Sequence, residues 1–535
     1  MVYSKPYKIV GRVRRSSLRG VMKIKTAFII FAILVLSFMY LRSGTATTGQ
    51  LPLPDKQISS AKAVPFRFLS CFGGSDVDDC DDIAVDADGC VYLACHSTSN
   101  DFPGSKQRDN SQDADRMDAY VSKIDPVAGK VIYTTRLGGS KWDGAIRIEV
   151  DQHSNAYVVG FTESSDFPTT SNALQREYIG GKSDAFLVKL KANGEIEYST
   201  FFGGSDTDQG NALALDKAGN VYLAGTTWSN DLPGIEKGSS NKNSGHGDGF
   251  VAVWNLDQPS TLRAKYIGGK EVEKVTGIAL DDSCNLFISG FTQSVDFPLH
   301  AALQKKLNGR QDAFLTKLRC TDLSYRFSTL IGGVGEDQAW GVAVDRAGRP
   351  YLAGGSDSVD FPTTTNALQR RYKGETDAFV TKFNATGTRM LYSTYLGGSG
   401  YDSCGYDGGD ITIDRDGNAW VVGMTFSLDL PTANAIQTAY GGGDREGDNF
   451  RDGDGFVSVI NPTGSLLLLS SYVGGNGRDF LEGIAPAPGG GVWATGLTGS
   501  RNLQTTSSLQ KAYNGGLFDA MLIKIPVPRR KSAPR

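Results

Sequence analysis

The chain has 535 residues, 66 of them glycine and four histidine, with 40% hydrophobic and 10% aromatic residues. That apolar share supplies a core and excludes global disorder, and glycine without a three-residue period excludes collagen. Net charge is −3, but basic residues crowd the two ends and leave an acidic body, which repels phosphate backbones and argues against nucleic acid as a partner.

Residues 1–46 read as a signal peptide or an N-terminal membrane anchor. Lys5, Lys8, Arg12, Arg14, Arg15, Arg19, Lys23 and Lys25 precede the uncharged run 27–41, AFIIFAILVLSFMYL. Basic flanks stay cytoplasmic, so everything beyond Arg42 is expected to be extracytoplasmic. The run is short for a spanning helix, which needs about 20 apolar residues, and Gly44-Thr45-Ala46 offers small residues for cleavage. The long basic leader argues for an uncleaved anchor, so a secreted protein and a tethered one both stay open. Residues 47–65 form a polar linker.

The body repeats. Gly-Gly pairs begin at Gly73, Gly138, Gly203, Gly268, Gly332, Gly397 and Gly474. A second marker, Asp followed by a small residue, falls at Asp118, Asp184, Asp248, Asp312, Asp377, Asp454 and Asp519. Both count seven units. Each unit holds four short runs rich in β-branched and aromatic residues; in the fifth they are 341–345, 350–355, 377–383 and 390–396. The pattern predicts an all-β, seven-bladed β-propeller of four-stranded blades over residues 66–525. One run, 66–72, precedes the first Gly-Gly, and the last unit stops at its third run, 519–525. Residues 66–72 are therefore expected to complete the last blade and close the ring without exposed edges. Residues 526–535 form a basic tail.

The recurring Y-S-T-x-L/F-G-G, I/V-A-V/L-D-x-x-G-N-x-Y-L-A-G, S-x-D-F-P-T and closing D-A-F-V-x-K elements resemble the SBBP-type β-propeller repeat of many exported bacterial proteins. The resemblance implies the propeller fold and an extracytoplasmic place, and no single activity. Units one and three lack A-L-Q, and unit seven has Arg501-Asn502-Leu503 in place of Asp-Phe-Pro.

Residues present in every blade are architectural; residues special to one blade are site candidates. A carboxylate stands five positions after each Gly-Gly start: Asp78, Asp143, Asp208, Glu273, Asp337, Asp402 and Asp479. These carboxylates read either as a cation-binding ring at the channel mouth or, more in keeping with turn chemistry, as acceptors of backbone N–H groups in their own turns. The face carrying these turns and the long S-x-D-F-P loops is the irregular one, where function is expected. It holds the single-blade candidates for ligand binding, Trp142, Trp228, Trp340, Tyr401 and His246, whose rings stack on sugars or on a partner's aromatic groups. Trp340, beside an inner strand, also suits the core. Trp420 and Trp493 stand where other blades have Tyr and belong to the core.

Blade six carries two insertions, in GGSGYDSCGYDGGDITID and YGGGDREGDNFRDGD, expected on the same face. Asp402, Asp407, Asp410, Asp444, Asp448 and Asp452, with flexible glycines, form a candidate oxygen cage for calcium. A hydrated acidic loop is the alternative. No H-x-H, H-E-x-x-H or G-x-S-x-G motif occurs, so no catalytic residue is named. Among seven cysteines, Cys284 and Cys320 emerge on the same face of blade four and are the candidate disulfide.

The expected function is binding: a disc presenting loops to a glycan or protein at the cell surface. The alternatives are an extracellular carbohydrate-active hydrolase or lyase using face carboxylates, and a structural or adhesive scaffold.

Overall fold

The computed structural model describes residues 66, 68–105, 116–235, 243, 246–405, 410–443, 452–507 and 509–528. The chain divides into residues 1–61 and 62–535, and all described residues belong to the second unit. Among them no helix is long and apolar enough to cross a membrane; the apolar run 27–41 lies outside the described residues.

All regular structure among the described residues is antiparallel strand, in seven sheets. Blade five is the plainest. Its strands are Asp337–Val344, Pro350–Ser356, Asp377–Phe383 and Met390–Leu396, paired in chain order from the axis outward. The seven inner strands contact one another in succession, the last touching the first, and so line an axial channel. Blade seven takes its outer strand from the front of the described chain: Phe68–Phe72 pairs with Asp519–Ile525, Phe68 opposite Lys524 and Phe72 opposite Ala520. The expected closure is present, and backbone hydrogen bonds lock the ring.

Between sheets the core is apolar and continuous. At the junction of blades four and five, Phe287, Leu315, Phe327 and Ile331 pack on Ala339, Val342, Leu352, Phe379 and Tyr395. Full burial of each large side chain contributes roughly 1.5–3 kcal/mol. Trp420 and Trp493 are buried as expected.

Each inner strand carries a β-bulge near its middle. In blades two to five the extra residue is Ile146, Asn211, Thr276 and Trp340. Bulges let the second strand approach closely, and glycine is placed there to allow it. A Cβ on Gly354 would lie 1.9 Å from the Gln338 carbonyl oxygen, and on Gly423 2.0 Å from that of Ser403.

Candidate functional site

The repeated carboxylates are the hinges of the frame. Asp402 Oδ2 accepts the Gly398 N–H at 2.7 Å and the Ser427 hydroxyl at 2.7 Å, while Oδ1 accepts Thr425 Oγ1 at 2.5 Å. The second glycine of every Gly-Gly makes the same bond, from 2.6 Å at Gly74 to 2.9 Å at Gly269. The first glycine is squeezed between this carboxylate and the third-strand aspartate of the preceding blade: a Cβ on Gly397 would meet Asp377 at 2.5 Å and Asp402 at 2.9 Å. That is why the pair is Gly-Gly. Burial pushes the carboxyls of Asp78 and Asp337 up to about 7 and those of Asp143, Asp208 and Asp479 up to about 6, against their hydrogen bonds.

Immediately before each hinge carboxylate stands a rim residue. Its carbonyl accepts the N–H of a second rim residue, just past the second strand. These pairs are Val77–Thr98, Trp142–Glu163, Thr207–Trp228, Val272–Gln293, Glu336–Asp357, Tyr401–Phe426 and Arg478–Gly499. Backbone geometry is shared and side chains differ in every blade. Trp142, Trp228 and Tyr401 all fall here. Trp228 is 37% exposed, and its indole lies against Gly247, where a Cβ would come within 2.8 Å. His246, next in the chain, has Nδ1 3.8 Å from Glu271 Oε2, both side chains exposed. The fold thus joins two sequence candidates, Trp228 and His246. Tyr401 meets Phe426 edge-on at 6.1 Å, Phe426 meets Phe480 at 6.3 Å, and the Arg478 guanidinium sits 5.6 Å over Phe480.

Trp340 is a correction. It is the bulge residue of its strand and is 6% exposed, turned edge-on to Phe291 of blade four at 5.9 Å. Packing between blades removes it from the surface that a ligand meets.

Below the rim lies a group that sequence reasoning does not find. In blade one His96 Nδ1 is 2.9 Å from Asp81 Oδ2, and Nε2 is 4.0 Å from Asp79 Oδ2. Burial lowers the imidazole, but Asp81 and Asp79 outweigh it and hold it up at about 9. Burial drives Asp79 up to about 7, and Asp79 shares a hydrogen bond with Glu482 of blade seven. One step further, Asp82 of blade one, Arg147 and Glu149 of blade two, and Asp410 of blade six interact. Blade six adjoins neither blade one nor blade two, so these groups meet across the axis. Elsewhere the matching register positions carry Ala212, Gly277, Gly341 and Gly483, which leave room for them. Burial, reinforced by Asp82 and Asp410, lifts Glu149 to about 8; burial lifts Asp410 to about 7, partly offset by Arg147. Solvent reaches Glu149, so it faces water inside the channel.

Asp410 also corrects the placement of the first blade-six insertion. The insertion interrupts the inner strand, which is split into Asp402–Ser403 and Ile411–Ile413, with Asp410 opposite Val422; residues 406–409 lie outside the described residues. Of the six aspartates named for calcium, the three described ones, Asp402, Asp410 and Asp452, are not gathered. Asp402 is a hinge with both oxygens engaged. Asp410 faces Arg147. Asp452 donates its N–H to the Gly443 carbonyl at 3.2 Å. Asp407, Asp444 and Asp448 lie outside the described residues. Among the described residues, no group of three or more His, Cys, Asp or Glu is set to hold a metal ion.

The disulfide in the structure joins Cys80 and Cys95, while Cys284 and Cys320 are free thiols. Cys95 occupies the second-strand position that is Gly160, Gly225, Gly290, Gly354, Gly423 and Gly496 in the other blades. Its partner stands opposite on the inner strand. Aligning VYLAC with VYLAG exposes that signal. A disulfide between Cys284 and Cys320 is not formed here, although the two stand side by side: the Cys320 N–H donates to the Cys284 carbonyl at 3.3 Å.

Comparison with known proteins agrees with the fold. The SBBP beta-propeller repeat model matches residues 197–233, so this seven-bladed propeller carries the SBBP repeat. Regulatory protein FlaEY of Caulobacter vibrioides is 27% identical over 341 residues, 60% of this chain. That match spans a third of the relative's own length, 33%. Among solved structures, the Pan2 WD40 domain of Neurospora crassa aligns over 88% of this chain and 98% of its own, at 7% identity and TM-score 0.38. A europium-containing methanol dehydrogenase aligns over 87% and 93%, at 9% identity and TM-score 0.36. Scores this low carry no argument about the chain.

Proposed function

We propose that the protein is an extracytoplasmic binding module that takes a glycan or a protein at the cell surface, on the rim of the channel mouth. One observation carries the reading. Seven rim pairs share a backbone frame and differ in side chain, with half-buried or exposed rings in blades two, three and six. Positions that vary within an otherwise repeated frame are where recognition is tuned, and aromatic rings there supply stacking area. Export is supported by the basic leader and the run 27–41, and a Cys80–Cys95 disulfide suits an oxidising compartment. Binding to a partner also fits the regulatory role in the relative's name. Calcium dependence rests on the Asp-rich insertion of blade six alone.

A second reading has its own support. Asp79, which burial drives up to about 7 and which shares a hydrogen bond with Glu482 of blade seven, is a raised carboxyl of the kind a carbohydrate-active hydrolase or lyase needs as an acid.

The test is retention of the full chain on a panel of polysaccharides and cell-envelope fractions, with calcium and with EDTA. Retention is expected, and Trp228→Ala or Tyr401→Ala is expected to weaken it about tenfold while leaving the melt unchanged. No retention in either buffer would replace the binding reading with a structural scaffold. Turnover of a retained glycan, abolished by Asp79→Asn, would establish the enzyme instead. Loss of retention in EDTA alone would assign the blade-six insertion a calcium ion.

A further inference from the structure

We propose that Cys284 and Cys320 are a dithiol that closes into a second disulfide across blade four, with a low-molecular-weight disulfide such as oxidised glutathione as its oxidant. Placement is the first argument. Asn285 and Arg319 are the last paired residues of the second and third strands, and Cys284 and Cys320 come next on either side. Their backbones touch, the Cys320 N–H donating to the Cys284 carbonyl at 3.3 Å, and the two side chains interact. Tyr222, reaching over from blade three, brings its hydroxyl 3.7 Å from Cys284 Sγ.

The turn itself is the second argument. Cys284 occupies the left-handed position of the tight turn, at φ 55°. Blades one, three, five, six and seven place Gly89, Gly219, Gly348, Gly417 and Gly490 there, and blade two places Ser154. A side chain at that position is strained relative to glycine. Packing offers little compensation: Cys284 is exposed, and its sulfur meets the Tyr222 hydroxyl at 3.7 Å. Its sulfur has one nearby thiol to join, and that thiol is buried.

Exposure also sets the order of steps. The Cys284 thiolate attacks one sulfur of the small disulfide, breaking its S–S bond. The first small thiolate leaves and takes a proton from water. Cys320 Sγ then gives up its proton, attacks Cys284 Sγ and expels the second small thiol. Two protein thiols are oxidised by two electrons, and one small disulfide is reduced to two thiols. Burial holds the Cys320 thiol up at about 12, so Cys284 is the sulfur that meets the oxidant. The closed pair tethers two strands that the turn of blade three already touches.

The full chain is equilibrated with oxidised glutathione, quenched, and mapped by peptide mass under denaturing alkylation. The wild type is expected to yield a linked Cys284–Cys320 peptide without a glutathione adduct, and a Tm higher by about 4 °C than the reduced form. Cys320→Ser is expected to accumulate the adduct on Cys284, since nothing resolves it. Cys284→Gly restores the residue of the other blades, keeps the fold and leaves Cys320 alkylated only on unfolding. An adduct persisting on wild-type Cys284, or both cysteines fully alkylated after oxidation, would overturn the proposal.

Discussion

Blades five and six begin alike and part at one position. Both open with Gly-Gly and a hinge aspartate, Asp337 or Asp402, that accepts the second glycine's N–H at 2.7 Å. Both close the bulge with a glycine, Gly354 or Gly423, against the inner-strand carbonyl. At the bulge, blade five spends one residue, Trp340, and seals its junction with blade four. Blade six has a longer stretch of chain between Ser403 and Ile411, and it places Asp410 at the axis beside Gly341 of blade five, where a Cβ would lie 3.0 Å from Asp410 Oδ1. The frame tolerates a change at the bulge because the hinge and the second-strand glycine keep the same contacts in both blades. Chemistry therefore enters this propeller at the bulge and at the rim, the two places the frame leaves free.

The shared part should be the costliest to break. Gly354→Ala and Gly423→Ala each press a methyl into a carbonyl, and each is expected to lose about 3 kcal/mol in chemical denaturation. A loss in blade five without one in blade six would mean that the interruption of the inner strand has relaxed the frame. Next come the hinges. Asp337→Ala and Asp402→Ala leave buried donors without an acceptor and should each cost about 2 kcal/mol, the same with EDTA as without. An EDTA effect confined to Asp402 would make it a metal ligand rather than a hinge.

The smallest effect belongs to the channel. Folded Glu149 keeps its proton to about pH 8 and Asp410 to about pH 7, whereas both release it near pH 4 when unfolded. In that window the folded state binds more protons, so stability falls as pH rises, and the melt should be lower at pH 8 than at pH 5. Glu149→Gln should flatten that slope and gain about 1 kcal/mol at pH 8, a figure kept small for the water that reaches the group. An unchanged slope would show that the hinge aspartates, raised in the same direction, carry all of it.

Much of this was legible in one dimension because a propeller repeats itself. Seven Gly-Gly pairs and seven Asp markers counted the blades, and the spare strand at Phe68–Phe72 announced the closure. The hinge role of Asp78 and its six counterparts followed from their presence in every unit. Repetition also hid things. Cys95 is readable as a departure from glycine only when the second strands are laid side by side. Trp340 looks like a face aromatic until the bulge register turns it inward. Asp82, Arg147 and Glu149 carry no signal of their meeting, standing on the inner strands Asp78–Val85 and Asp143–Val150 of two blades, and Asp410 was legible only as one aspartate of the blade-six insertion. The sequence by itself determined the number of blades, their turns and the way the ring closes, because each of these is set by contacts within a repeat or between adjacent ones. Only the tertiary structure decided what meets across the axis and around the rim, since curvature of the ring brings together residues that no spacing along the chain connects.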